Sequence, residues 1–396
     1  MVTRDAAKVL FLNVGHFYAH LFMVLFATVV LALETEFGVS YGVLLPLATA
    51  GFVMFGAGSL PSGWLGDRWS RPGMMTIFFI GIGAASIATG FARSTFEIGA
   101  GLLAIGVFAS IYHPVGIAML VDGREKVGRL LGINGVFGNM GLAGAGLIAG
   151  VLTDLISWRA AFIVPGLVAI VTGLLFLAFN RSEDRAAAGA AKRAADPVIP
   201  RATLIRVMIV VAVATLAGGI VFHATTVSLP KVFDERVPGL VTGTSGIGSL
   251  VAIVFALAAF TQIAVGQMID RYEIKPVFLL LVVVQVPLLL LITTLTDLPM
   301  FVASLFLMCL VFGEIPISDT LVARHTVSAW RGRVYAAKYV LSLGVSASAL
   351  PMVGYLHESA GFNALFAVLA GFAGILVICA LALPGRLWLR LGVSAT

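Results

Sequence analysis

Long apolar runs, broken by short polar punctuation, dominate the 396-residue chain. A helix needs about 20 consecutive apolar residues to cross a bilayer core. By that measure twelve segments qualify: 9–33, 43–64, 73–92, 96–121, 130–153, 160–179, 206–230, 244–268, 276–296, 299–322, 333–356 and 361–383. The runs are continuous rather than alternating, which predicts helices and excludes barrel strands. Most connections are very short, so neighbouring helices are expected to be antiparallel. The exception runs from Asn180 to Arg206 and holds Arg181, Glu183, Asp184, Arg185, Lys192, Arg193 and two prolines. It predicts a six-helix half at 1–180, a cytoplasmic linker at 181–205 and a second six-helix half at 206–396. The expected fold is an all-α integral membrane protein with twelve transmembrane helices in two pseudo-symmetric halves. The first run, Val9 to Leu33, is too long for a signal-peptide core and is expected to be kept as the first helix.

Composition agrees with this pattern. Hydrophobic residues make up 60% and charged residues 11%, with a mean hydropathy of +1.06. So few charges cannot build a water-facing surface. That excludes a soluble enzyme, a disordered chain and a nucleic-acid-binding protein. The net charge of +6 is explained by where the cations lie. If the N-terminus is cytoplasmic, 20 of the 25 Lys and Arg fall in inside loops, and Arg93, Arg159, Lys231 and Arg236 fall outside. This bias predicts cytoplasmic termini and anionic lipid headgroups as partners. The two cysteines, Cys309 and Cys379, each sit alone in an apolar run and read as small core residues. Five tryptophans (Trp64, Trp69, Trp158, Trp330 and Trp388) fall near span ends, as an interfacial belt would place them.

The halves also repeat. Gly63-Trp-Leu-Gly-Asp67-Arg68-Trp-Ser-Arg71 follows the second span, and Gly266-Gln-Met-Ile-Asp270-Arg271-Tyr-Glu-Ile-Lys275 follows the eighth, 203 residues later. Pro114 and Pro316 in spans four and ten, and Gly128-Arg129 and Gly332-Arg333, keep nearly the same offset. A duplicated helical unit with a site at the interface of its copies is the architecture of secondary transporters.

These two loops resemble the signature of the major facilitator superfamily, Gly-x-x-x-Asp-Arg followed by a basic residue. Ser157-Trp158-Arg159-Ala-Ala-Phe162 looks like that family's start of helix six. A narrower resemblance is to exporters of the fosmidomycin-resistance type. It is carried by Gly15-His16, Tyr112-His113-Pro114 and Gly138-Asn139-x-Gly141. The glycine-rich run of helix five has no proline, unlike antiporters of the superfamily, which leaves the direction of transport open. The resemblance implies a monomeric bacterial inner-membrane carrier. It also implies that Asp67, Arg68, Arg71, Asp270, Arg271 and Lys275 act as gating residues, with the aspartates docking onto the starts of helices five and eleven. A carboxylate is favoured at a helix N-terminus.

In such a fold helices one, four, seven and ten line the central cavity, and each carries ionisable residues here: His16 and His20; His113; His223; Glu314 and Asp319. Ionisable groups at membrane depth are expensive and mark substrate or ion pathways. Asn13, His16 and His20 form one stripe on helix one. His16, His20, His113 and Glu314 fall ~10–16 Å from the cytoplasmic end at 1.5 Å rise per residue, so they could share one layer. Asp319 is expected to pair with Arg324 near the interface. Lys338 is expected to snorkel, or else to meet an anionic substrate. No nucleotide-binding Gly-rich loop with Lys appears, so ATP is not the expected driver, and no cofactor is expected.

Two functions fit best. The first is a secondary active transporter of a small organic solute, working by alternating access as proton-coupled efflux. The second is a transition-metal or small-anion carrier, including uptake, with His16, His20, His113 and Glu314 as the ligand set. A receptor or enzyme on a carrier scaffold fits the duplicated loops poorly.

Overall fold

A computed structural model describes residues 4–122, 124, 128–181, 200–326 and 328–384. They form α1 (Arg4–Phe37), α2 (Tyr41–Arg68), α3 (Arg71–Gly90), α4 (Thr95–Val121), α5 (Gly128–Leu155) and α6 (Trp158–Arg181) in the first half. The second half holds α7 (Arg201–Arg236), α8 (Gly243–Arg271), α9 (Ile274–Ile292), α10 (Asp297–His325), α11 (328–360) and α12 (362–382). The last two are separated only by Gly361, whose φ of 71° interrupts the helical backbone. Left-handed backbone is nearly free for glycine and costly for a residue with a Cβ.

The helices run beyond the apolar cores expected of them. α1 begins at Arg4 and ends at Phe37, so Glu34 and Glu36 are helical residues rather than loop residues. α7 begins at Arg201, ahead of the expected Arg206; the expected linker otherwise falls at 182–199, outside the described residues. Exposed Leu, Val, Ile and Phe side chains are spread over the outward faces, including Leu174, Leu175, Ile209, Leu257 and Ile378. A lipid solvent accepts such faces while every backbone group is bonded inside its own helix. Trp64 and Trp69 are exposed near a helix end, as expected of a belt, whereas Trp158 is buried between Phe37 and Phe162. Trp330 and Trp388 lie outside what the structure describes of side chains.

The halves meet on one side of the membrane, the side away from the chain termini. There α5 crosses α8, with Gly146 against Gly248 and Gly150 against Thr244. A Cβ on Gly146 would stand 3.1 Å from the Gly248 carbonyl oxygen. Gly42 of α2 meets Gly354 of α11 in the same way. Glycine at such crossings lets backbones approach closely.

Polar contacts lock the same side. Lys231 of α7 donates to Glu34 of α1 at 2.6 Å. Tyr41 of α2 donates to the Val227 carbonyl at 3.4 Å. Ser40 donates to Glu358 across the same seam. Asp154 at the end of α5 accepts from the Thr244 and Ser245 amides at 3.2 and 2.7 Å, capping α8 where its free N–H groups point. On the terminal side the charged contacts given for the described residues join residues within one half. They include Arg71 with Asp67 and Asp122, Arg124 with Asp5, Arg324 with Asp270 and Lys338 with Asp319. Among the described residues, the polar contacts that join the two halves therefore gather on the far side.

Candidate functional site

Three of the four helices expected to line the cavity break where their ionisable residues sit. α1 pauses at Leu25, a turn beyond His20. α4 contains a single π-turn at Tyr112–Gly116. Pro114 lacks an N–H and cannot continue the α ladder, and the widened turn absorbs it. His113 rides on that turn. α10 is interrupted at Glu314, between Asp297–Gly313 and Ile315–His325, with Pro316 in the first turn of the second piece. Glu314 therefore occupies the position in α10 that His113 and its neighbours occupy in α4.

In the first half the structure gathers three histidines. His16 and His20 lie one turn apart on α1, and His20 Nε2 is 3.2 Å from His16 Nε2. His113 packs edge-on to both, with ring centroids 5.3 and 5.5 Å away. One ring nitrogen from each of the three falls within a 4.8 Å cluster. His16 is buried, and its Nδ1 is 2.7 Å from the Asn134 carbonyl oxygen of α5. A carbonyl can only accept, so His16 Nδ1 carries the proton and Nε2 points to the cluster. His20 Nε2 then donates to it.

A polar scaffold holds this arrangement. Tyr112 stacks on the His16 ring at 4.9 Å and donates to the Leu12 carbonyl at 2.8 Å. The Asn134 side-chain amide donates to Tyr112 Oη at 2.8 Å and to Asn13 Oδ1 at 2.9 Å. Gly15 and Gly138 leave the room. A Cβ at Gly138 would sit 2.7 Å from His16 Nε2, and one at Gly15 would sit 3.0 Å from the Tyr112 ring. His223 of α7 is not in the 4.8 Å group and stands edge-on to Phe52 at 6.2 Å and to Phe222 at 5.1 Å.

Glu314 is not part of the histidine cluster. Its carboxylate turns into its own half, toward Gly218 of α7 and the side chain of Gln285 on α9. Gln285 is fully buried and donates through Nε2 to Glu314 Oε1, while its own Oε1 is buried without a hydrogen-bond partner among the described residues. The expected four-ligand set with Glu314 therefore reduces to three imidazoles. Depth along a helix placed the groups in one layer, but the direction around α10 takes the carboxylate elsewhere.

Two further pairings differ from expectation. Asp319 pairs with Lys338 of α11, which also donates to Ser318 at 2.7 Å. Lys338 neither snorkels nor stands free in the cavity, and its side chain is only 10% exposed. Arg324 instead donates to the Ile269 carbonyl at 3.0 Å and lies 3.8 Å from Asp270.

Among the described residues, the signature-loop side chains pair with neighbours in their own half. Asp67 is 70% exposed and accepts from Arg71 at 2.8 Å, and Arg71 also lies 3.9 Å from Asp122 at the end of α4. Asp270 is 80% exposed. Arg68 stacks over Trp64 at 5.6 Å, exposed Arg271 ends α8, and Lys275 donates to the Leu381 and Leu383 carbonyls at 2.7 and 2.9 Å.

Asn134, Gln285, Glu34 and Lys231 were not singled out by the sequence. A signal existed for Gln285, a lone amide in an unbroken apolar stretch of α9, and amides at that depth bond across helices.

Comparison with known proteins fits this geometry. A curated relative, the 4-hydroxybenzoate transporter PcaK of Pseudomonas putida, is 25% identical over 158 residues, which is 37% of this chain and 33% of that protein. The chain thus spans about a third of the length of the curated relative it matches. A bacterial homologue of the human lysosomal transporter Spinster, in an inward-facing and unoccupied conformation, superposes with a TM-score of 0.75 over 100% of both chains at 15% identity. A D-xylose–proton symporter superposes with a TM-score of 0.71 over 94% of this chain and 95% of its own, at 14% identity. These likenesses show the fold. The sequence model of the Major Facilitator Superfamily matches residues 12–258 and 239–387, nearly the whole chain, and the chain belongs to that superfamily as a membrane transporter of small solutes rather than an enzyme.

Proposed function

We propose that the chain is a proton-coupled secondary transporter that expels a small organic solute from a bacterial cytoplasm. It sits in the inner membrane as a monomer with both termini inside. The observation that carries this reading is Glu314. A carboxylate at the break of a cavity helix is expensive to bury as an anion, and among the described residues its side-chain hydrogen bond is to the amide of Gln285. Gln285 Oε1 has no donor among the described residues. A proton on Glu314 turns its carboxyl into a donor toward that amide, so acid and amide can pair head to head. Leaving a buried acceptor unpaired costs about 1–3 kcal/mol. Proton uptake and the state open to the termini therefore support one another. The positive-inside bias puts the termini in the cytoplasm, which makes this the inward-facing state.

Transport then follows from two packings of the same halves around one cleft. The far-side seam opens when α5 leaves α8 and Lys231 leaves Glu34. The signature loops become the latch of the other state, in which Asp67 and Asp270 reach the starts of α11 and α5. His223, Asp319 and Lys338 belong to the cleft and its walls in this reading.

The test is uphill transport in proteoliposomes, with candidate solutes first found by thermal stabilisation. A ligand bound only by the folded protein stabilises it by about 2.7 kcal/mol at 100 times its dissociation constant. An imposed pH gradient should drive accumulation against the solute gradient, and a protonophore should abolish it. Accumulation that ignores the pH gradient would refute the coupling.

The seam itself gives a second expectation. The Lys231 and Glu34 side chains are 12% and 25% exposed, so their pair is partly shielded from water. Glu34→Gln removes the cross-half partner of Lys231, which keeps Asp234 at 3.1 Å on its own helix, so the state that holds the pair loses about 1 kcal/mol. Distances between spin labels at the far-side ends of α1 and α7 should shift toward the open population by about fivefold. An unchanged distribution would mean the pair does not bias the equilibrium.

A further inference from the structure

We propose that His16, His20 and His113 form a binding site for a first-row transition-metal ion, carried through the cleft as part of the transported solute. The spacing is the first argument. Two nitrogens bound at 2.0–2.1 Å to one tetrahedral ion stand about 3.3 Å apart. His16 Nε2 and His20 Nε2 stand 3.2 Å apart. The His113 nitrogen falls in the same 4.8 Å cluster and rides on the π-turn of α4, a backbone element that can adjust by a fraction of an ångström. An ion would replace the His16–His20 hydrogen bond without moving α1.

The surroundings are the second argument. Metal-bound histidines almost always donate their other ring N–H to a carbonyl or carboxylate, which fixes the tautomer and the ring. His16 does this already, with Nδ1 2.7 Å from the Asn134 carbonyl oxygen and its ring stacked on Tyr112. The stacked Tyr112 is itself tied to Leu12 and Asn134, and Gly138 keeps the approach to His16 Nε2 clear. His16 is thus oriented with its unprotonated Nε2 turned toward two other imidazoles, the arrangement of a preformed ligand.

The donor set is the third argument. Three neutral imidazoles suit Zn2+, Cu2+, Ni2+ and Co2+, and exclude the hard cations Ca2+ and Mg2+, which take oxygen. The trio contains no carboxylate, so a bound divalent ion keeps its double charge. Three protein ligands leave a fourth position open, as in exchangeable zinc sites. His20 and His113 are the partly exposed members, so this position faces the cleft. Water fills it if the cargo is the bare ion, and a carboxylate of a small organic chelator fills it if the cargo is a chelate. Only the description of the ion as cargo depends on the transporter reading above. The site itself does not.

Co2+ titration of the purified full-length protein in detergent is the test. The wild type should develop the visible d–d bands of a tetrahedral nitrogen site, saturating at one ion per chain, and Zn2+ should bleach them by displacement. His16→Gln, His20→Gln and His113→Gln should each weaken Zn2+ binding by more than tenfold. His325→Gln should leave it unchanged, because His325 bonds the Leu321 carbonyl of its own helical turn and is not in the histidine cluster. Thermal unfolding of each variant without metal separates loss of a ligand from loss of the fold. Repeating the titration with the ion as its citrate complex distinguishes bare ion from chelate. A wild type that gives no tetrahedral bands and is not stabilised by Zn2+ overturns the proposal, as does binding that survives the triple variant. Those failures leave proton-driven transport and its dependence on Glu314 standing. Metal bound without any pH-driven flux would do the reverse.

Discussion

Glu314→Gln should abolish uphill transport while leaving downhill exchange intact. A glutamine keeps the shape of a protonated glutamate and its hydrogen bond with Gln285, but it can neither gain nor lose a proton. The substituted carrier is then held near the state that the protonated carboxyl supports. Both halves can still rock around bound solute, so counterflow of labelled against unlabelled solute should persist. Coupling should vanish. One proton per cycle makes each pH unit of gradient worth about 1.4 kcal/mol, a tenfold accumulation. The wild type should therefore reach roughly tenfold accumulation per pH unit, and the variant a ratio of about one, within the same proteoliposomes. Gln285→Leu should act differently. It removes the partner amide and leaves the carboxyl without one, so it should alter the pH at which coupling is half-maximal while keeping some accumulation. Full coupling in Glu314→Gln would remove Glu314 from the proton path and turn attention to the Asp319–Lys338 pair.

Much of the fold was legible because the bilayer imposes one simple demand, an apolar run long enough to cross it. That demand located all the spans, including the division of the last two near Gly361. It misjudged the ends, since α1 carries its helix past Glu34 and α7 starts before Arg206. Charged residues at a membrane surface are solvated, and nothing in their polarity stops a helix. The histidine stripe was legible for a similar reason. Residues 16 and 20 share a face by helical geometry alone, and His113 lay at the matching depth.

Glu314 was misplaced because depth says nothing about direction around the helix. The same omission explains Asp319. Arg324 is near in sequence, but five residues turn about 140° around a helix, so the two side chains leave α10 on different sides. Lys338 is distant in sequence and adjacent in space. The exposure of Asp67 and Asp270 could not be foreseen either, since polarity alone does not say whether a loop carboxylate faces solvent or a neighbouring helix.

Gly248→Trp should trap the carrier open on the far side and cut transport about a hundredfold. The backbones of α5 and α8 approach closely at their crossing, and a Cβ at Gly248 would fall 2.1 Å from the Gly146 carbonyl oxygen. No side-chain rotation relieves a clash at Cβ. An indole adds a volume that the closed seam has no space for, and overpacking a tight contact costs 1–3 kcal/mol even for a few added methylenes. A population change of a hundredfold needs only about 2.7 kcal/mol, so the terminal-side-open state should become rare. The far-side-open state separates these helices and accommodates the ring without strain. Stability should therefore change little, which distinguishes trapping from misfolding. Solvent accessibility of cysteines placed beside Lys231 and Gly42 should rise, and accessibility on the terminal side should fall. Solute should still bind from the far side, because the histidine cluster and Glu314 lie toward the other end of the cleft and touch neither glycine. Gly248→Ala should give a graded version, with slower transport and a partial shift. Unchanged transport in the tryptophan variant would mean that the seam does not open during the cycle, and the alternating motion would have to be sought between other helices.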